Sequence, residues 1–380
     1  MLKRIVINNV NSIKTCEIDF IKGNYKFSED NVLGSLVNPI AIYGHNGSGK
    51  SSLLNAVQHF ISLMVLPTES LMPFTVNNFL FEQFRKVEEE MYLQGDILLS
   101  FDLGDKSYEY YLETSRFDNR ISKEYLKADG EIYFENEGGK YRYQGKGYRP
   151  ENHQISKMVP LIRILGSSEI VDPIVQTVFA YFRSFTHVNV SFINRGAFVT
   201  SSIFNNTNIF DLLTGKSDEV KEVLKEYDNF PVYSIVKDDK LLPNGFVQPQ
   251  YNVVLEDDGF KGKLPFQMIS TGMQNQSVLL SLVLSMPKNS VLFIDELDIA
   301  LHPSALQSFI EVIKKRKVQV VVTLHNTNAM QYLRPDQIYF AKWSKGFSTY
   351  HRLSKIYPNI REVNNIEKMY LSTLFDGAME

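Results

Sequence analysis

Three short stretches carry residue types at spacings that could do chemistry. In YGHNGSGKSSLLNAV (43–57), Gly44, His45, Asn46, Gly47, Ser48, Gly49, Lys50 and Ser51 fit the pattern GxxxxGK[ST] in full. Glycines at these places let backbone N–H groups converge on phosphate oxygens with no Cβ in the way. Lys50 would reach the outer phosphates, the Ser51 hydroxyl would ligand Mg²⁺, and the start of a following helix would add positive potential. Ser52 closes the loop. The expected ligands are therefore ATP and Mg²⁺.

The second stretch, VLFIDELD (291–298), sets four apolar residues before Asp295 and Glu296. A buried strand there brings Asp295 out at its carboxyl end, where ligands bind in open parallel sheets. Asp295 is the candidate to hold the magnesium through water. Glu296, one residue on, is the candidate to polarise an attacking water, a role worth roughly 10²–10⁴ in rate. The bland alternative is an acidic pair at a helix start. The third set is spread out. ISTGMQNQSVLLSLVLSM (269–286) opens with small polar residues, so Ser270 and Gly272 could receive a γ-phosphate, although an ordinary helix cap reads the same way. His325 ends VQVVVTLH (318–325) and could hydrogen-bond the γ-phosphate and sense its loss.

Elements must position these residues. NPIAIY (38–43) reads as the strand feeding the glycine-rich loop, and Leu53, Leu54, Val57 and Ile61 share one face of the helix after it. VLFID and VQVVVT are continuous β-branched runs of the kind buried on both faces, and SALQSFIEVIKK lies between them as a helix, giving a βαβ unit. The first forty residues and 94–145 alternate in short runs that read as strands, with turns at Gly104-Asp105 and Glu137-Gly138-Gly139. The stretch 155–250 changes character. MVPLIRILGSSEIVDPIVQTVFAYFRSF is largely helical in pattern, and SDEVKEVLKEYD is an amphipathic helix with a Ser-Asp-Glu start. The expected organisation is a first lobe over 1–150 with the loop and a β-rich subdomain. A helical insertion or lid over 151–250 suits partner contacts, and a second lobe covers 251–380.

The bulk numbers bound the setting. The 380 residues hold 44% apolar and 22% charged types with a net charge of −3, so a nucleic-acid contact would have to be a local patch. The one cysteine, Cys16, excludes an intrachain disulfide and a thiolate zinc site. No secretory leader or bilayer-length apolar run stands out, so a cytoplasmic protein away from membranes is expected.

In this order the stretches resemble the head of an ABC-type ATPase. Ser270-Thr271-Gly272-Met273-Gln274 is similar to a degenerate form of the signature LSGGQ. DELDIALHP (295–303) resembles the Walker B and D-loop of the SMC-like branch, and TLHNTNAM (323–330) its H-loop segment. The tail, RPDQIYFAKWSKGFSTYHRLS followed by REVNNIEKMYLSTLFDGAME, resembles a compact bacterial AAA-type ATPase family, as does DKSYEYYLETSRFDNRISKEYL (105–126). That family is sister to the ATPase half of OLD-type nucleases and is found in phage-defence and abortive-infection pairs such as PARIS-type systems.

The resemblance implies an α/β fold: an ABC-type head with a mixed P-loop sheet flanked by helices, a β-rich first lobe and a mostly helical insertion. It implies ATP hydrolysis by Glu296, with Lys50 and His325 at the phosphates and Ser51 and Asp295 at the metal. Ser270 and Gly272 would serve a partner's ATP, so a homodimer or higher oligomer is expected. The output would go to a separate effector, a Toprim-type nuclease being one candidate, released by a phage trigger protein. Two departures stand out. The signature lacks a second glycine where Thr271 or Met273 stands, and no clear Q-loop glutamine follows the first helix, Gln94 being the nearest candidate.

No Toprim-like cluster fits into the residues after His325. Asp238-Asp239-Lys240 is a tempting carboxylate pair that a hairpin turn explains. KYRYQGKGYRPENHQISK (140–157) interleaves Lys140, Arg142, Lys146, Arg149 and Lys157 with tyrosines, which suits either a nucleic-acid groove or a solvated hairpin. KKRK (314–317) suits a helix C-terminus. The alternative readings are a RecF-like DNA-repair ATPase and an intrinsic nuclease within 155–250.

Overall fold

The computed structural model describes residues 1–65, 94–115, 120–151, 158–190, 209–226, 232–243, 245–257, 260–299, 301–375 and 377. Ala300, Lys157 and the rest of 152–157 lie outside them, as do parts of the 155–250 stretch.

Among the described residues, thirteen strands join one sheet in the order β10-β9-β8-β7-β6-β1-β2-β18-β17-β5-β16-β15-β11. Its antiparallel wing holds β1 (Leu2–Val10), β2 (Ile13–Asp19), β6 (Gln94–Leu103), β7 (Lys106–Ser115), β8 (Arg120–Ala128), β9 (Glu131–Glu137) and β10 (Lys140–Tyr143). The turns fall at 104–105 and 138–139, as the sequence predicts, with Gly104, Gly138 and Gly139 at positive φ. Alternation is clean along β6. Ile97, Leu99 and Phe101 point into the core while their neighbours do not.

The parallel wing is β5 (Ile40–Tyr43), β11 (Thr186–Asn189), β15 (Val291–Asp295) and β16 (Gln319–Thr323), with β17 (Ile338–Ser344) beside β5. A hairpin to β18 (Phe347–Arg352) and the bridge Ser348↔Ile13 join the wings. The parallel strands are buried on both faces, which is why they read as unbroken apolar runs. In β15, Val291 and Phe293 enter one core and Leu292 and Ile294 the other. In β5, Ile40 and Ile42 divide from Ala41 and Tyr43 in the same way.

Helices cover the two faces. On one lie α1 (Lys50–Val65), α2 (Leu161–Gly166) and α3 (Pro173–Arg183). There Phe60, Tyr110, Phe182 and Phe185 pack edge-on or tilted, with ring centroids 4.9–6.3 Å apart. Asp172 caps α3, accepting from Ile174 N at 3.0 Å and Val175 N at 3.4 Å, with Pro173 at the first turn. Asp172 also takes the Tyr133 hydroxyl at 2.7 Å and so ties the helix to β9. The other face carries α4 (Ile209–Gly215), α5 (Ser217–Lys225), α6 (Thr271–Ser285) and α7 (Pro303–Arg316). Two short terminal helices, α8 (Leu353–Ile356) and α9 (Ile366–Leu371), close the chain.

The helical middle expected from the sequence also contains strands. β11 is the edge strand of the main sheet, parallel to β15. A separate sheet is formed by β12 (Tyr233–Leu241), β13 (Val247–Asp257) and β14 (Phe260–Pro265), and β3 (Val32–Leu33) and β4 (Leu36–Val37) make a two-stranded pair ahead of β5. Asp238-Asp239-Lys240 therefore sits in a strand and not in a hairpin turn. Asp238 is paired with Lys263 and accepts from Asn252 Nδ2 at 2.6 Å. Ser217 does not cap α5; its hydroxyl accepts from Ile235 N at 2.6 Å and docks the helix on β12. No helix of the described residues is long and apolar enough to cross a membrane.

Candidate functional site

Of the residues singled out above, the glycine-rich loop, Asp295, Glu296 and His325 meet at the carboxyl ends of the neighbouring strands β5, β16 and β15. After β5 the chain turns through Gly44, Gly47 and Gly49, all at positive φ, and enters α1 at Lys50. Two glycines are needed for space as well as conformation. A Cβ on Gly44 would stand 2.4 Å from Ala341 O and 2.6 Å from Ser48 Oγ. A Cβ on Gly49 would stand 1.9 Å from Ser348 Oγ. His45, Asn46 and Gly47 are exposed at the rim, Ser48 is buried, and Ser51 and Ser52 are half-buried.

The loop rests on the seam between the sheet's two wings. Ser12, in the β1–β2 turn, bonds Ser52 Oγ at 2.9 Å and Ser348 Oγ at 2.8 Å. The Tyr350 hydroxyl donates to Gly49 O at 2.6 Å. Lys50 Nζ donates to Gly44 O at 2.7 Å and His45 O at 3.2 Å. Burial lowers the Lys50 pKa, against the upward pull of Asp295, Asp298 and Glu296. Three carboxylates thus lie within electrostatic reach of the loop lysine. Among the described residues Ser48 Oγ is buried with no hydrogen-bond partner, a donor ready for an acceptor in the cradle.

Asp295 ends β15 and is only 1% exposed. Thr323, at the end of β16, donates to its Oδ1 at 2.6 Å, and Asn189, at the end of β11, donates to its Oδ2 at 3.1 Å. Parallel register makes this possible, since Asn189 lies opposite Asp295. Glu296 takes a left-handed backbone, φ +57°, and its N–H donates to Thr323 Oγ1 at 2.8 Å. Asp298 accepts the backbone N–H groups of His325, at 2.7 Å, and of Asn326. The segment carrying His325 is therefore latched to the acidic segment along its length. His325 is exposed. His187, two residues before Asn189, is buried near Asp295; burial pushes its pKa down to about 4, so it stays neutral there.

Beyond His325, Asn326 caps the turn 327–332 and Thr327 Oγ1 donates to Glu367 Oε1 at 2.7 Å. The Asn328 amide nitrogen, in the orientation that satisfies both its ends, reaches the same oxygen at 2.6 Å. Tyr370 and Phe375 stack on Phe340, which lies opposite Tyr43 in the register of β17 and β5.

Ser270 and Gly272 lie elsewhere. Ser270 caps α6, accepting from Met273 N at 3.3 Å, and is exposed with Thr271. No hydrogen bond joins it to the loop 44–52 among the described residues. Its helix touches the acidic segment through Asn275 Nδ2, 3.4 Å from Ile299 O. Gln94 opens β6 opposite Ser115.

The basic, aromatic stretch is partly spent on its own hairpin. The Tyr141 hydroxyl donates to Pro150 O at 2.6 Å, and Arg149 donates to Gly145 O while lying over the Tyr143 ring. The basic end of α7 is likewise engaged. Lys314 meets Asp30 and Glu311, Lys315 meets Glu226, and Arg316 donates to Leu284 O.

Oxygen donors of this kind fit magnesium. It needs one or two protein ligands beside phosphate and water, and Ser51 and Asp295 can supply them. Among the described residues no group of three or more His, Cys, Asp or Glu is gathered as a self-sufficient metal site. Asn189 and Thr323 were not foreseen. An asparagine in HVNV and a threonine in VVVTLH carry no signal until strand register sets both beside Asp295.

A family model matches residues 40–331, that of AAA_21, described as "AAA domain, putative AbiEii toxin, Type IV TA system". No curated protein matches the chain. Among solved structures the chain is similar to an SMC head bound to the C-terminal winged-helix domain of ScpA, with a TM-score of 0.50 and 14% identity over 92% of this chain and 96% of that one. It is also similar to the SMC head domain from Thermotoga maritima, with a TM-score of 0.48 and 14% identity over 92% and 98%. At such identity the first likeness speaks for the fold alone: an ABC-type ATPase head.

Proposed function

The chain belongs to the AAA_21 family of AAA domains, and from that premise we propose that it is an ATP-binding and ATP-hydrolysing switch of the ABC type. Its output is control of a separate effector protein in an anti-phage, abortive-infection pair. The observation that carries the catalytic part is the convergence of the glycine-rich loop, Asp295 with Glu296, and His325 on three adjacent strand ends. The family description, with its toxin and type IV toxin–antitoxin terms, supports the defence part.

Each residue's task follows from its chemistry. Backbone N–H groups of 44–51 and the Ser48 hydroxyl cradle phosphate oxygens, and Lys50 neutralises the outer charge. Ser51 and Asp295 hold Mg²⁺, which supplies charge neutralisation at the phosphates when bound. Glu296 accepts a proton from the attacking water, and His325 donates a hydrogen bond to the γ-phosphate. Ser270, exposed ahead of α6, and Gly272, half-buried in its first turn, serve the ATP of a second copy, so nucleotide drives association.

Two measurements test this. Glu296→Gln should bind ATP yet hydrolyse it about 10²–10⁴-fold more slowly, and Lys50→Ala should bind poorly. Sedimentation of Glu296→Gln with ATP and Mg²⁺ should show a dimer or larger species. A chain that stays monomeric under every nucleotide condition overturns the switch, and hydrolysis unchanged in Glu296→Gln overturns the assignment of the base. ATPase strongly stimulated by DNA would favour a DNA-repair role instead.

A further inference from the structure

Asp295 is held on both carboxylate oxygens by donors from different strands: Thr323 of β16 on Oδ1 and Asn189 of β11 on Oδ2. Thr323 also holds the residue that follows Asp295. Its hydroxyl has one hydrogen, given to Asp295, and its lone pairs accept the Glu296 N–H at 2.8 Å. The Thr323 carbonyl takes the Leu297 N–H at 3.2 Å as well. Glu296 stands at φ +57°, a region that side-chain-bearing residues avoid unless their surroundings impose it. Thr323, fully buried, is the surrounding that imposes it.

We propose, building on the ATPase reading above, that Asn189 and Thr323 are positioning residues with separable tasks. Asn189 orients Asp295 through Oδ2, and so sets metal affinity. Thr323 orients Asp295 and the backbone of Glu296 together, and so sets both metal affinity and turnover. The middle of the chain then contributes to the site directly, because β11 is its only strand in the main sheet among the described residues.

The physical basis is the general behaviour of outer-shell partners. A carboxylate that must meet a metal or its water binds it best when its rotamer is already set, and losing such a partner typically costs about 10–100-fold in metal affinity. A donor on each oxygen leaves Asp295 no other rotamer that keeps both bonds. Removing Asn189 frees one side, while removing the Thr323 hydroxyl frees the other and unpins Glu296. A shift of about 1 Å in a catalytic group can cost about 10²-fold in rate.

The test uses the full chain with Asn189→Ala, Thr323→Val and Thr323→Ser. Mn²⁺ is titrated onto the protein with ATP and followed by electron paramagnetic resonance, with metal-free ATP affinity measured beside it. Asn189→Ala should weaken Mn²⁺ about 10–100-fold with metal-free ATP affinity unmoved, its loss lying in the metal's half-saturation more than in kcat. Thr323→Val should weaken Mn²⁺ and also lose about 10²-fold in kcat at saturating Mg²⁺, and Thr323→Ser, which keeps the hydroxyl, should restore both. Wild-type Mn²⁺ affinity in Asn189→Ala, or full turnover by Thr323→Val at saturating metal, overturns the proposal. A merely structural role would lower thermal stability and leave the ratio of metal-bound to metal-free affinity alone. If the wild type binds ATP and Mn²⁺ but does not hydrolyse, the ATPase reading fails, while the metal titration of all three variants still decides whether Asn189 and Thr323 position Asp295.

Discussion

Substituting Gly49 by alanine separates two reasons for a glycine. Its φ of +99° strains any side-chain-bearing residue, and the new Cβ would also lie 1.9 Å from Ser348 Oγ and 2.5 Å from Ser348 Cβ. Rotating the hydroxyl removes the first contact and not the second. Ser348 cannot retreat either, because it is buried and its N–H donates to Ser12 O at 2.8 Å. Gly47 is the internal control: its φ is +79°, yet a Cβ there meets nothing within 4 Å. Strain of this kind costs about 1–3 kcal/mol, offset by about 0.4–1 kcal/mol from the less flexible unfolded chain. Overpacking adds about 1–3 kcal/mol in G49A alone. Urea denaturation without nucleotide should therefore place G49A about 1–3 kcal/mol below G47A. In a double-mutant cycle, Ser348→Gly should return most of that difference while leaving the conformational part in place. Equal stability of G49A and G47A, or a coupling of zero with Ser348→Gly, would falsify the steric argument.

Other outcomes follow from the same contacts. Arg334 is fully buried, holds both oxygens of buried Asp336 at 3.0 and 3.1 Å, and donates to the carbonyls of Gly23 and Phe27. Arg334→Leu strands that carboxylate, so a loss of about 3–5 kcal/mol in urea denaturation is expected; an unmoved midpoint would refute it. Glu124 is fully buried and its pKa is raised to about 7, burial outweighing the bonds it accepts from Ile162 N, Leu161 N and the Tyr110 hydroxyl. A carboxyl raised in the folded state binds more protons there than in the unfolded chain. Its stabilisation is complete below pH 4.5 and is lost as pH climbs through about 7. Stability of the wild type relative to Glu124→Gln should thus fall across that window by something on the order of 3 kcal/mol, and a difference independent of pH would count against it. Glu367→Ala removes the acceptor that ties α9 to Thr327 and Asn328; faster amide hydrogen exchange over 366–371 is expected, and unchanged protection would show the tie to be idle.

Much of the site could be read from residue order, because its chemistry is local. The loop 44–51 needs its glycines and lysine consecutively, and Asp295 and Glu296 must follow a buried strand, so both leave contiguous traces. The strands β5, β15 and β16 were equally plain, since burial on both faces demands unbroken apolar runs. What escaped is what depends on register between distant segments. Asn189 meets Asp295 only because β11 lies parallel to β15, and nothing in HVNV announces an edge strand. Asp238 looked like a turn residue because acidic pairs favour turns, yet cross-strand Lys263 and Asn252 neutralise it within β12. Ser217 heads an amphipathic helix like a cap, but its hydroxyl is taken by Ile235 of the neighbouring strand.

The strand order also constrains how the protein is made. The loop strand β5 has β16 and β17 as its neighbours, whose residues come nearly three hundred positions later, and β1 is tied to β16 by Gln319, whose side-chain amide accepts from Leu2 N and donates to Leu2 O. The antiparallel wing from β6 to β10 needs only nearby partners and can pair as it emerges. The phosphate loop, synthesised early, cannot gain its flanking strands until the ribosome has reached β16, roughly 14–55 s later at 5–20 residues per second. Until then β5, buried on both faces in the finished sheet, has neither neighbour, a condition that exposes apolar chain to aggregation. Nascent chains truncated before β16 should therefore be chaperone clients, and the nucleotide site is among the last parts of the molecule to exist.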